Sequence, residues 1–134
     1  MTALADHRRF SDEARGAVVL TERQLRGCAV MFVRGEIDIA TVEQLERAGT
    51  RLLENADGRL VLDLSETSFM DLGGVRAIER LSRLAGDTGG SFVVIAVTPG
   101  IRRILALASH PWLAVTGDLD TALETVSDRA GTSR

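Results

Sequence analysis

The chain predicts an α/β layer fold with a largely parallel or mixed sheet, and three observations carry that expectation. Short apolar runs that suit strands alternate with segments whose apolar residues recur every three or four positions, as on one face of a helix. Helix-start signals fall between the two kinds of segment: Thr41 with Gln44 three residues on, Thr98 before Pro99, and Asp118. Hydrophobic residues make up 45% of the 134 but aromatics only 4%, which suits a single domain with a core of Leu, Ile, Val and Ala.

The elements follow in order. Residues 1–15 mix both charges without periodicity and are expected to form a mobile arm ahead of a domain spanning 16–129. Val18 to Thr21 and Cys28 to Val33 are apolar runs separated by a polar, glycine-containing turn, and predict two strands. Thr41 opens a helix through a capping box with Gln44; Val42, Leu45, Ala48, Leu52 and Leu53 make its buried stripe, and Asp57-Gly58 ends it. Arg59 to Leu64 predicts a strand. A helix then runs from Asp71 to about Ala85, with Val75, Ile78, Leu81 and Leu84 or Ala85 inside and Arg76, Glu79, Arg80 and Arg83 in water. Glu79 and Arg83 stand i,i+4 in the favourable order. Phe92 to Val97 is the most apolar run and is expected at the centre of the sheet. Thr98-Pro99 starts a helix carrying Ile101, Ile104, Leu105 and Ala108, which His110-Pro111 stops. Leu113 to Val115 predicts a short strand, and Asp118 caps a last helix with Leu119, Leu123 and Val126 inside. Residues 130–134 are expected to fray.

The bulk properties exclude several functions. A net charge of −3 lacks the basic footprint of nonspecific nucleic-acid binding. The single cysteine allows no internal disulfide, and no run is apolar enough for a signal peptide or a membrane span, so a cytoplasmic chain without membrane insertion is expected. His7 and His110 have no partners at metal-ligand spacing, and Cys28 reads as an inert buried thiol. Trp112 and the Arg102-Arg103 pair read as packing and as a solvated face. GDTGGS, Gly86 to Ser91, resembles the surroundings of a serine-protease nucleophile, with Thr88 in the serine's place. It follows a helix and precedes a strand, has no partner histidine, and reads as a helix C-cap and turn. No metal or cofactor is expected.

Two stretches remain, VRGEID (Val33 to Asp38) and SFMDLGG (Ser68 to Gly74). Each ends an apolar strand in acids, on the side where α/β folds place their sites. Asp71 suits an N-cap reaching the amides of Gly73 or Gly74. Each glycine lowers helix propensity by about 1 kcal/mol relative to alanine. Two of them strip the first turn, either so that a partner surface can come close to the backbone or so that the helix packs against a neighbouring strand.

These motifs, in this order and spacing, resemble the STAS domain family of bacterial anti-sigma factor antagonists, over about Val18 to Val126. The similarity rests on Gly35-Glu36-Ile37-Asp38 followed by Thr41, on the strand Leu60 to Leu64, on Phe69-Met70-Asp71, on Gly89-Gly90 and on Thr98-Pro99. The resemblance implies helices packed mainly on one face of the sheet, no catalysis, and a partner switch. The domain would bind an anti-sigma factor, in some cases a histidine-kinase-like ATPase, and so free a sigma factor. It implies a partner-binding surface at Glu36, Asp38, Thr41, Asp71, Leu72, Gly73, Gly74 and Arg76. In phosphorylated members a serine or threonine at the start of the second helix is the acceptor; here Leu72 stands in that place. The off-switch at Leu72 is therefore expected to be missing; Ser65, Thr67 and Ser68 lie just upstream, two of them expected in the turn before the helix, and Ser68 or Thr67 is the candidate for a displaced acceptor. A homodimer is compatible with the sequence. Two other functions fit the same pattern: a regulatory subunit of a larger assembly, such as a transporter ATPase or a stress-signalling complex, and a small-molecule or nucleotide sensor with a pocket near Asp38 and Asp71.

Overall fold

A computed structural model of the chain describes residues 18–55, 58–108 and 113–132. The expectations for the arm at 1–15, His7, Asp57, His110-Pro111 and Trp112 lie outside the described residues. Five strands form one sheet in the order β1 (Val18–Leu25), β2 (Cys28–Ile37), β3 (Arg59–Met70), β4 (Ser91–Ile95) and β5 (Ala114–Thr116). The first pair is an antiparallel hairpin and the other three pairings are parallel. The connections are α1 (Val42–Asn55), α2 (Leu72–Asp87) and α3 (Pro99–Leu105), with α4 (Leu119–Thr132) last. The final helix thus runs on into the stretch expected to fray.

Alternation along the strands divides the core in two. Ala29, Met31 and Val33 of β2 point to the side covered by α1, α2 and α3, where they meet Leu45, Leu52, Ile78, Leu81, Ile101 and Leu105. Cys28 and Val30 point to the other side, where Ala122, Leu123 and Val126 of α4 close over Val61, Val93 and Ile95. Each fully buried aliphatic side chain contributes about 1.5–3 kcal/mol, so both layers matter to stability. Helices therefore lie mainly, though not wholly, on one face.

The helix stripes match expectation closely, and Asp118 caps α4 by accepting from the Thr121 amide at 2.8 Å. Pro99 opens α3 as expected, but the Thr98 side chain makes no cap hydrogen bond. Gly90 is a packing device: a Cβ there would collide with the Gly58 backbone, whose carbonyl accepts from the Ser91 amide at 2.7 Å, whereas Gly89 takes the positive φ of the turn.

Four expectations need correction. The central strand is β3; β4 is wholly buried and paired on both edges, but it ends at Ile95 and leaves Val97 exposed. Strands β2 and β3 do not stop at Val33 and Leu64 but run on, paired, to Ile37 and Met70. Glu79 is not on the wet face: it is 4% exposed and pairs with Arg76 at 3.1 Å. Thr41 does not close a capping box over Gln44, because its hydroxyl turns back to the end of β2, donating to the Glu36 carbonyl and accepting from the Asp38 amide.

Candidate functional site

The site is built where β2 and β3 end side by side. Two register shifts each place one more residue on β3 than on β2: Phe32 pairs with Asp63 but Arg34 with Glu66, and Gly35 pairs with Thr67 but Glu36 with Phe69. Such bulges bend a strand and re-aim its side chains. Here Ser65 with Glu66, and Ser68 with Phe69, face outward as adjacent pairs, while Leu64, Thr67 and Met70 point in. This spacing of three ends the strand with Phe69 on the surface and Met70 beneath α2.

The two loops are tied together by the Asp71 amide, which donates to the Ile37 carbonyl at 3.2 Å. Asp71 caps α2 with Oδ1, accepting from the Gly74 amide at 3.1 Å, which satisfies one of the helix's orphan donors. In the other loop Asp38 Oδ1 accepts from the Ala40 amide at 2.9 Å. Thr41 is buried, and its hydroxyl ties this loop to the Glu36 carbonyl at the end of β2 at 2.7 Å. It is a positioning residue, not a surface one.

The two glycines have different reasons. A Cβ on Gly74 would come to 2.5 Å from Met70 Cγ and 2.9 Å from Ile37 Cγ2, so this glycine lets α2 sit against the ends of both strands. Gly73 is exposed and a Cβ there would touch only Asp71, its own helix cap. Close packing explains Gly74; Gly73 alone keeps the turn bare toward solvent.

The surface that results carries Glu36 and Leu72 in the open, with Asp38 and Asp71 half-buried beside them. Leu72 is 43% exposed and Phe69, 48%. Ile39, between Asp38 and Ala40, is 90% exposed, the extreme among large apolar residues of the described chain. Phe69 and Ile39 were not among the residues expected here. The signal for Phe69 was hidden by the bulges; Ile39 is a lone apolar residue in a loop, which no periodicity flags. Val97 lies at the same end of the sheet, following β4. Arg76, one turn along α2, is exposed and tethered to Glu79. The ends of β2 and β3 and the first turn of α2 thus expose three large apolar side chains, Ile39, Phe69 and Leu72, on the same two segments as the acids Glu36, Asp38 and Asp71.

Thr67 is buried and donates to the Val33 carbonyl at 2.9 Å, and Ser68 donates to the Gly35 carbonyl at 3.2 Å; both belong to β3, not to a turn before the helix. No group of three or more His, Cys, Asp or Glu side chains among the described residues could hold a metal ion. No described helix is long and apolar enough to cross a membrane.

This sheet and this strand–helix junction define a small α/β domain, and the family follows from the sequence match. The family model described as "Mlab, STAS domain" matches residues 20–110, and the chain belongs to the STAS domain family. It is 22% identical over 89 residues to BtrV of Bordetella bronchiseptica, named as an anti-sigma factor antagonist; the match covers 66% of this chain and 77% of that protein. Among solved structures it is similar to an anti-sigma factor antagonist from Mycobacterium paratuberculosis, at TM-score 0.77 and 29% identity, covering 86% of this chain and 98% of the other. RsbS of Moorella thermoacetica shares the fold at TM-score 0.69 and 21% identity, over 84% and 98% of the two chains.

Proposed function

We propose that this chain is an anti-sigma factor antagonist. It binds an anti-sigma factor through the end of the sheet at β2 and β3, and so releases a sigma factor. The observation that carries this reading is the set of exposed apolar side chains, Ile39, Phe69 and Leu72, held on capped and cross-tied backbone beside Glu36, Asp38 and Asp71. Protein interfaces draw most of their affinity from a few apolar anchors at the centre, with polar residues around them. Pre-ordered loops lower the entropic cost of docking. Thr41 and Gly74 hold the surface in shape; Gly73 admits close approach, and Arg76 stands at the border. The chain acts by binding, without turnover.

The same reading gives Leu72 a regulatory meaning. Phosphorylation would add about −1.5 to −2 charges at an acceptor hydroxyl, and leucine offers none. Interaction is then constitutive or governed elsewhere. Reconstitution tests the proposal: the chain, added to a complex of sigma factor and anti-sigma factor from the same cell, should displace the sigma factor and restore promoter-specific transcription. An anti-sigma factor that neither binds the chain nor gives up its sigma factor would refute it.

A further inference from the structure

The described residues cover only part of the back of the sheet, opposite α1 to α3. Helix α4 closes over Val30, Val61, Val93 and Ile95, and Phe32 borders that cluster with its ring partly uncovered. Beyond it lies a concavity of about 350 Å³ lined by Thr21, Arg23, Phe32, Asp63, Ser65 and Glu66, among others. That volume is within the range of small-molecule sites, about 300–1,000 Å³.

Register fixes how the lining groups stand. Thr21, Phe32 and Asp63 form one row across β1, β2 and β3; Arg23 is in the next row on β1, and Arg34 pairs with Glu66 in the row on the other side. The bulge between Asp63 and Glu66 is what builds the far wall, since strict alternation would send either Ser65 or Glu66 into the core. Phe32 is thus a floor with a carboxylate on one side and a guanidinium on the other, two strand spacings across and one row along, about 12 Å apart at the backbone. Arg23 has no hydrogen-bond or ion-pair partner among the described residues. Asp63 commits Oδ1 to the Ser65 amide at 2.8 Å and keeps Oδ2 uncommitted. Arg34 and Glu66 lie 3.9 Å apart and offset one another.

We infer that this concavity is a second binding site, for a small zwitterion with an apolar body, of the kind an aromatic amino acid presents. An anion alone would meet Arg23 but also the Asp63 and Glu66 carboxylates; a cation alone would meet the reverse. A zwitterion places its carboxylate at Arg23, its ammonium at Asp63 Oδ2 and its ring over Phe32, where offset aromatic contact is favourable. The inference stands apart from the partner assignment, because the pocket opens on the sheet's back and not beside Asp38 and Asp71.

Amide NMR of the whole labelled chain tests it, with L-phenylalanine, phenylacetate and phenethylamine as probes. L-phenylalanine should shift the amides of Thr21, Phe32, Asp63 and Ser65 saturably, and each single-charge analogue should bind at least about tenfold more weakly. Arg23→Gln and Asp63→Asn, which retains the Oδ1 acceptor, should each weaken L-phenylalanine by about tenfold or more without loss of amide dispersion. The analogue series uses the unaltered chain, so it decides the matter even where a variant folds poorly. Absence of a saturable shift up to about 10 mM L-phenylalanine, shifts centred elsewhere, or equal binding by either analogue would overturn the site.

Discussion

Gly73 and Gly74 are neighbours in the first turn of α2, yet the structure separates what each is for. Alanine at 74 needs Met70 Cγ and Ile37 Cγ2 to give way, an overpacking that costs about 1–3 kcal/mol and outweighs the gain of about 1 kcal/mol in helix propensity. Alanine at 73 meets only the Asp71 carboxylate at 3.2 Å and gains propensity. Thermal melts should therefore show Gly74→Ala lowering Tm while Gly73→Ala holds or raises it; the reverse order would remove the packing argument. At Leu72 the test is covalent. Incubated with its anti-sigma partner and ATP, the wild-type chain should keep its unmodified intact mass at this junction, whereas Leu72→Ser should gain phosphate if the partner is a kinase. Phosphate on Ser68 of the wild type would mean that the switch has moved. Asp71 could be read in the sequence as a cap because an acid before a helix has one obvious use. Ile39 and Thr41 could not: a lone exposed leucine isomer in a loop has no pattern, and a threonine hydroxyl can face forward to the helix or back to the strand.

Helices and strands were legible to different degrees for a physical reason. The stripes of α1 and α2 keep a period near 3.6 and their buried residues match it. The far half of β3 loses the period of two at each bulge, so the sequence there looks like a loop while the backbone stays paired to Met70. Glu79 fell on the wrong face because a charged residue at a core-edge position is placed in water by pattern alone; its ion pair with Arg76 at 3.1 Å helps to offset its burial. Between α1 and α2, Arg80 grips Glu46 with two hydrogen bonds of 2.6 and 2.9 Å. That hydrogen bonding holds the Glu46 carboxyl below its ordinary value of 4.5. A depressed carboxyl stabilises the fold above its unfolded pKa, and that contribution is lost as pH falls through the folded value. For so exposed a pair it is worth about 0.2–1 kcal/mol. Glu46→Gln should accordingly melt slightly below wild type near neutral pH, with the gap closing below 4.5; a gap that persists or widens in acid would assign the loss to packing.

For the whole molecule, the alternation of strands and helices fixed the architecture, since a parallel strand pair demands a crossover helix. It did not say that α4 lies behind the sheet, because periodicity marks an apolar stripe without saying which side of a sheet it covers. Among the described residues, that placement leaves Phe32 partly exposed at the back and the end at β2 and β3 uncovered. The partner surface is the central claim, and calorimetric titration of the anti-sigma factor with wild type, Leu72→Glu and Ile39→Asp tests it most directly. Both positions are exposed, so melting temperatures should hardly change, while each variant should lose about 2 kcal/mol or more, roughly thirtyfold in affinity. Unchanged affinity for both variants, with the fold intact, would place the partner on another face of the domain and contradict the account.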